Sequence, residues 1–587
     1  MQRYHPREIP SRLLPRLSLL KAPVLTGGFQ LTIKPLSIKY AFSAFLFFLA
    51  WTLPYHYYPW VSASQDLLAF LAAIIILKIE NPKIVAVTII ALLTLLLPSI
   101  IKLYSGSIFF GDIWIFFGYL FVFCLMYITG KSLSLKEKFE LLEWFFFFAI
   151  TASVISTLIA LMQWLRVDHG SWIVTMPPNS RPFGNMAQPN NLSTLLCIGL
   201  SGIYFLHERK IAGTHIFATL STIIIIGIAL TQSRTAAVSL FLMAALWAYK
   251  KEALNTAIKK RHIALFALFF LGLTLAIPKV STALLLNSSS LAERAASLER
   301  LDIYRQFSIA IWDGPVFGYG INQIAEAQLL TAKKYSTPIQ VEYTHNLVLD
   351  LMTWFGLIPG LTITLILFFC LFKNLYRSNS TEKIFPLLAA TPIVTHSLLE
   401  YPHAYAFFLI PLGLLIGMSS YQPPSSVQKK EQRLFDYIFP ATCGFFVLLT
   451  WHEYLQIESD SRIMRLQSVG IDIVSEKKPS EIYLLTQLSE FIRFARTQAH
   501  REMTDGELSW MKTVSYRYPY PPCIFRYSIA LALNGFEPEA LESLKNIKRL
   551  YGAAKYDEAV DNLKFVPGIP ASLITLAIQQ KTTLEKS

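Results

Sequence analysis

The side chains able to do chemistry fall in a few short stretches between apolar runs. Tyr343-Thr344-His345-Asn346 ends a polar segment at the mouth of a hydrophobic run. A histidine there is either a neutral base near pH 7, suited to a hydroxyl proton, or a polar cap at a helix start. Asn346 beside it adds a donor and an acceptor. Thr231-Gln232-Ser233-Arg234 joins two apolar runs with almost no loop. A guanidinium in that place either snorkels to the membrane surface or holds an anion. Between Ser180 and Asn191, Pro and Gly break the chain around Arg181, Asn185 and Gln188. Those donors suit phosphate or sugar hydroxyls, and the same segment also reads as a helix-entry loop capped by Asn190 or Asn191. Arg294, Arg300 and Arg305 alternate with Glu293, Glu299 and Asp302. Helix ion pairs account for some of them. Arg305, just before an apolar-aromatic turn, ranks above the other two as an anion ligand. A fixed guanidinium suits a diphosphate because it stays charged and donates through two N–H groups at once.

Other chemistries find little support. His396 and Glu400 are four apart and share a helix face, with His403 beyond Pro402. A metal site needs three or four ligands in good geometry, and no HExxH motif occurs, so the expectation is no metal. No Walker A loop occurs, and Gly318-Tyr319-Gly320 lacks the context of a dinucleotide loop. The five cysteines are scattered with no C-x-x-C pair, which argues against a disulfide framework or thiolate site.

The elements that position these residues are set by composition. Of 587 residues, 53% are hydrophobic and 15% charged, against about 25% charged in soluble domains. This is the profile of an all-α polytopic membrane protein. The net charge of +14 reads as basic cytoplasmic loops rather than as a nucleic-acid surface. About thirteen apolar runs are of spanning or near-spanning length: 40–54, 62–79, 83–101, 108–128, 141–164, 190–206, 211–230, 235–249, 262–278, 347–372, 384–399, 403–419 and 435–452. Lys and Arg crowd alternate loops, which places the N-terminus inside and, by the odd count, the C-terminus outside. The expected division is a basic cytoplasmic tail at 1–39, nine spans in 40–278, a large outer loop at 279–346, four spans in 347–452, and an outer helical domain at 453–587. Ala530–Tyr551 reads as a helix, a Gly turn and an amphipathic helix, one hairpin of a tetratricopeptide-like repeat. Tyr516–Pro522 reads as extended. On this topology His345, Arg234, Arg181, Arg305, His396, Glu400 and His403 all fall at the outer side.

Four motifs carry a resemblance. Arg181-Pro-Phe-Gly-Asn-Met-Ala-Gln-Pro-Asn-Asn191, Gln232-Ser-Arg-Thr-Ala236, Gly314-Pro-Val-Phe-Gly-Tyr-Gly320 and Thr344-His-Asn346 resemble the O-antigen ligase/polymerase superfamily. The first motif and the C-terminal part resemble bacterial protein O-oligosaccharyltransferases of the PglL type. The resemblance extends over nearly the whole chain and implies a GT-C-like fold in the bacterial inner membrane. It implies transfer of an oligosaccharide from undecaprenyl diphosphate to Ser or Thr hydroxyls of periplasmic, pilin-like proteins. Nucleotide sugar, cofactor and metal would not be needed. His345 falls on the family's histidine, and Arg234, with Arg181 and Arg305, on its arginines. Asn185, Gln188 and Asn346 then become substrate-binding candidates. Two other readings stay open: a ligase or polymerase with a glycan acceptor, and a lipid-linked glycan transporter without catalysis.

Overall fold

The computed structural model describes residues 35–80, 86–167, 170–254, 258–286, 299–420, 435–471 and 480–582. Residues 1–34 of the basic tail, and Arg294 with Glu293, lie outside the described residues. Every described element is a helix, as a chain deprived of water must arrange to satisfy its own backbone. Among the described residues each apolar run read from the sequence is mainly helical: α1 (Pro35–Thr52), α2 (Ala63–Glu80), α3 (Ala86–Tyr104), α4 (Phe110–Ser132), α5 (Leu135–Trp164), α6 (Pro189–Glu208), α7 (Thr214–Leu230), α8 (Arg234–Lys250) and α9 (Lys260–Ala283). After a polar segment carrying α10 (Glu299–Asp313) and α11 (Ile324–Thr331) come α12 (Leu347–Phe355), α13 (Leu357–Arg377), α14 (Thr381–Ser397), α15 (Ala406–Ser419) and α16 (Phe435–Ser468). Among the described residues, α4, α5, α9 and α13 are long and apolar enough to cross a bilayer unaided by length and composition.

The run 347–372 is not one helix. It breaks at Gly356, whose φ of +89° lies in the left-handed region that glycine alone visits freely. The break makes room for the polar segment, because Val316 and Gly318 pack against the Gly356 backbone. Tyr319 N–H donates to Thr353 O at 2.9 Å and Gly320 N–H to Trp354 O at 3.1 Å.

Small residues set the closest helix packing. Gly413 and Gly417 on α15 lie against Phe123 and Tyr127 on α4, and a Cβ on either would fall within 2.6 Å of a backbone oxygen. This Gly-x-x-x-Gly stripe lets two helix backbones approach and fixes the loop before α15 relative to α4.

The C-terminal helices are α17 (Thr486–Arg496), α18 (Asp505–Arg517), α19 (Pro521–Leu533), α20 (Glu537–Tyr551), α21 (Ala553–Leu563) and α22 (Ala571–Thr582). The α19–α20 hairpin turns at Gly535, as expected. The segment 516–522 is not extended throughout. Tyr516 and Arg517 end α18, and Pro521 and Pro522 begin α19, a position where a missing N–H costs nothing. This layer rests on the end of the bundle that also carries 299–346. Leu329 and Ala332 join its core. Glu453 of α16 accepts backbone N–H bonds from Tyr483, Leu484 and Leu485. Arg517 donates to Asp112 at the start of α4 at 2.9 Å.

Candidate functional site

His345 stands in the turn between the polar segment and α12, at a φ of +59°. That left-handed backbone is uncommon for a residue other than glycine and marks a position held by its surroundings. Three contacts hold it. The Thr344 N–H donates to Asp350 at 2.8 Å. Asn346 caps α12, accepting from Val348 N–H at 2.9 Å and Leu349 N–H at 3.3 Å, and donates to Leu398 O at 3.0 Å. Tyr304 of α10 donates to the His345 carbonyl at 3.2 Å. Asp350, fully buried, is itself held by His403 at 3.0 Å.

The imidazole meets Glu400, which follows α14. Its Nδ1 lies 2.5 Å from Glu400 Oε2. Glu400 Oε1 accepts from Arg300 of α10 and, at 3.0 Å, from the Asn190 amide of α6. A carboxylate with a guanidinium and an amide already donating to it acts as an acceptor, so Nδ1 carries the proton. Nε2 is left with its lone pair and makes no hydrogen bond among the described residues. Burial first, and the Arg300 charge second, push the His345 pKa down from 6.5 to about 4. The ring is therefore neutral at neutral pH and able to accept a proton.

The network continues to Arg234. Asn190 accepts at 2.7 Å from the Ser233 hydroxyl. Ser233 caps α8, accepting from Ala236 N–H at 3.2 Å, and Arg234 is the first residue of that helix. The Arg234 guanidinium is exposed and makes no hydrogen bond or ion pair among the described residues. It lies near enough to Arg300 for the two charges to interact, and it adds to the burial that lowers the Arg300 pKa. Glu400 pairs with Arg300, while the neighbouring Arg234 has no ion pair among the described residues, which leaves positive charge for an anion.

The structure brings His345, Asn346 and Arg234 to one site. The other expected residues have contacts of their own, and neither Arg305 nor Asn185 touches His345, Glu400 or Arg234 among the described residues. Arg181 donates to Thr231 O at 3.1 Å and Gln232 O at 3.2 Å, which holds the backbone just before Arg234. Asn185 is buried and donates to Thr52 O and Trp172 O while accepting from Val174 N–H, pinning three segments together. Gln188 is half-buried at the cap of α6. The Arg305 guanidinium lies 4.9 Å from the Tyr335 ring centroid. His396 meets Thr194 at 2.9 Å, so His396, Glu400 and His403 each face a different partner.

Glu400, Arg300 and Asn190 were not read as a unit from the sequence. The four-residue spacing drew Glu400 toward His396, whereas its partner is 55 residues away. One signal was available. A lone carboxylate between Leu398-Leu399 and Tyr401 must find a partner when buried.

The relatives give the class, a glycosyltransferase-type membrane enzyme. The family described as O-Antigen ligase matches residues 219–378. That described as Virulence factor membrane-bound polymerase, C-terminal, matches 385–564. The general O-oligosaccharyltransferase of Acinetobacter baylyi is 29% identical over 527 residues, covering 87% of this chain and 92% of that protein. The ComP-specific O-oligosaccharyltransferase of the same organism is 30% identical over 477 residues, covering 79% and 85%. The chain belongs to the PglL-type O-oligosaccharyltransferase family within the O-antigen ligase superfamily.

Proposed function

We propose that the protein transfers an oligosaccharide from undecaprenyl diphosphate to Ser or Thr hydroxyls of periplasmic proteins, pilins among them. The thirteen helical runs would cross the inner membrane, with His345 and residues 453–587 on the periplasmic side. The acceptor oxygen attacks the anomeric carbon as the bond to the diphosphate oxygen breaks. The hydroxyl proton passes to His345 Nε2. Arg234, with Arg300 behind it, neutralises the charge that grows on the departing diphosphate. Attack opposite the leaving group inverts the anomeric carbon, and no metal is required. Asn346 and Gln188 border the place where acceptor and sugar meet.

The observation that carries this reading is the His345 Nδ1–Glu400 contact of 2.5 Å. It supports an oriented neutral base beside Arg300. The names of the relatives support a protein acceptor, and the match to the O-antigen ligase family keeps a glycan acceptor as the second reading. The test is reconstitution of the purified chain with lipid-linked oligosaccharide and, separately, a pilin-like protein or a lipid-anchored glycan acceptor. Glycan on the protein is the expected result. Transfer only to the glycan acceptor favours the ligase reading. Movement of the donor across the bilayer without transfer to either identifies a transporter.

A further inference from the structure

The end of α8 opposite Arg234 borders a polar cavity of about 690 Å³. Lys250 is the last residue of α8, so the cavity lies roughly 24 Å along the helix from Arg234 at 1.5 Å per residue. Tyr249, Lys250, Glu252 and Ala253 form one wall, and Tyr376, Arg377 and Asn379, at the end of α13, form the other. Helix α8 packs on α6 and α14, and α13 packs mainly on α12, so these two helix ends stand apart. The Lys250 ammonium spans the gap, donating to Tyr376 O at 3.1 Å and to Asn379 Oδ1 at 3.0 Å. Lys250 is 6% exposed, yet both acceptors are neutral. A charge withdrawn from water normally meets a counter-charge, and Lys250 makes no ion pair among the described residues. An ammonium carries three N–H donors, so one is left over. Arg377 adds a second cation to the lining, against the exposed carboxylate of Glu252.

We infer that this cavity binds the phosphate of an anionic bilayer phospholipid, whose acyl chains lie along α13. Only the choice of leaflet, the cytoplasmic one, rests on the topology proposed above. Two observations favour a lipid over a free anion. Leu365, Phe369, Phe372 and Tyr376 recur at helical spacing on one face of α13, each at least 60% exposed, and this face runs down to the cavity. Tyr249 and Tyr376 stand exposed at its mouth, the place of amphipathic rings at headgroup depth. Basic pockets between helix ends on the cytoplasmic side suit anionic headgroups. A phosphate there supplies the counter-charge that Lys250 lacks and joins two helix ends that barely touch.

The test is native mass spectrometry of the purified full-length chain in detergent, with phosphatidylglycerol or phosphatidylcholine of the same acyl chains. The wild type should hold phosphatidylglycerol at least about fivefold more tightly. Lys250→Gln keeps a donor for Tyr376 O and removes the charge, and Arg377→Gln removes the other cation. Each should weaken phosphatidylglycerol binding about fivefold, the worth of one basic residue near an anionic surface, and leave phosphatidylcholine unchanged. Lys136→Gln, an exposed lysine at the start of α5, should change neither. Equal retention of both lipids by the wild type, or wild-type affinity for phosphatidylglycerol in the double variant, overturns the site. Displacement of the lipid by millimolar inorganic phosphate makes it a free-anion site and overturns the lipid assignment. Should Lys250→Gln fail to fold, phosphatidylglycerol with a photoreactive headgroup decides the matter in the wild type. Cross-links to 249–253 or 376–379 support the site, and cross-links elsewhere refute it. The leaflet is read separately, with an impermeant maleimide on Asn379→Cys in whole cells. Labelling from the periplasm overturns the topology and leaves the lipid site standing.

Discussion

At the scale of single residues, the proposed chemistry turns on which nitrogen of His345 is free. Glu400 holds Nδ1–H, which leaves Nε2 as the proposed base. Glu400→Gln keeps the shape but can donate to the ring and select the wrong tautomer. Transfer should fall about 10²-fold or more, close to the loss in His345→Ala, with donor binding retained in both. Measuring kcat and donor Kd together checks this, and near-normal kcat in Glu400→Gln would remove the carboxylate from the mechanism. The pH dependence follows from the lowered His345 pKa. The active form is deprotonated, so activity holds above that pKa and is lost as pH falls through about 4. Arg300 helps lower it, so Arg300→Gln should raise it and shift the acid limb of the kcat/KM profile to higher pH. An unmoved limb would show that the Arg300 charge does not reach the base. Arg234→Lys keeps the charge without the paired donors and should weaken donor binding, and Arg234→Ala should weaken it further. Unchanged donor affinity in both variants would free Arg234 from the diphosphate role. His345 and Arg234 were legible in short motifs next to apolar runs. Arg300 was not, because its value comes from Glu400, 100 residues away, and neighbouring acids offered it an ordinary helix pairing.

Helices were the most legible scale. Spacing of apolar residues is written locally, and among the described residues the expected runs are mainly helical. What failed was local backbone that tertiary contact decides. The α12–α13 break gives no signal beyond one glycine in an apolar stretch, and glycines are common there. It becomes intelligible only with Val316 lying on it. A Cβ at Gly356 would sit 1.9 Å from Val316 O, at a φ that side chains resist. Gly356→Ala should therefore push the 314–320 turn off α12. It should cost roughly 1–3 kcal/mol, seen as a lower thermal midpoint and faster proteolysis within 299–346. Wild-type protection of that segment would mean the turn is not fastened there. The tyrosine–proline stretch misled in the opposite way: prolines that suggested extension serve as the first turn of α19.

For the whole molecule, the question is what fastens the C-terminal helices to the bundle. Asp112 is buried and meets Arg517 at 2.9 Å. Tyr520 donates to Glu342 at 2.9 Å, and Ser336 to Arg549 O at 2.7 Å. Removing one partner of a buried pair strands the other, which typically costs about 3–5 kcal/mol. Arg517→Ala should loosen residues 480–582, read as protease cleavage within α17–α22 while the membrane helices stay protected. Replacing both residues with apolar ones of similar volume should recover much of the loss. Equal protection in Arg517→Ala and wild type would place the fastening elsewhere. The expected boundary at Glu453 falls inside α16 (Phe435–Ser468), so the change in composition marks where that helix turns polar and not where an element ends. The docking was not legible, since its partners are scattered over the chain.

That same pair has a consequence for how the protein is made. Asp112 and Arg517 are 405 residues apart. At 5–20 residues per second, the carboxylate leaves the ribosome on the order of 20–80 s before its partner. Through that interval Asp112 has no guanidinium partner, so its carboxyl either stays in water or takes up a proton. A nascent chain stalled before α18 carries an acid that cannot be buried cheaply, and so displays its own incompleteness to whatever inspects newly inserted membrane proteins.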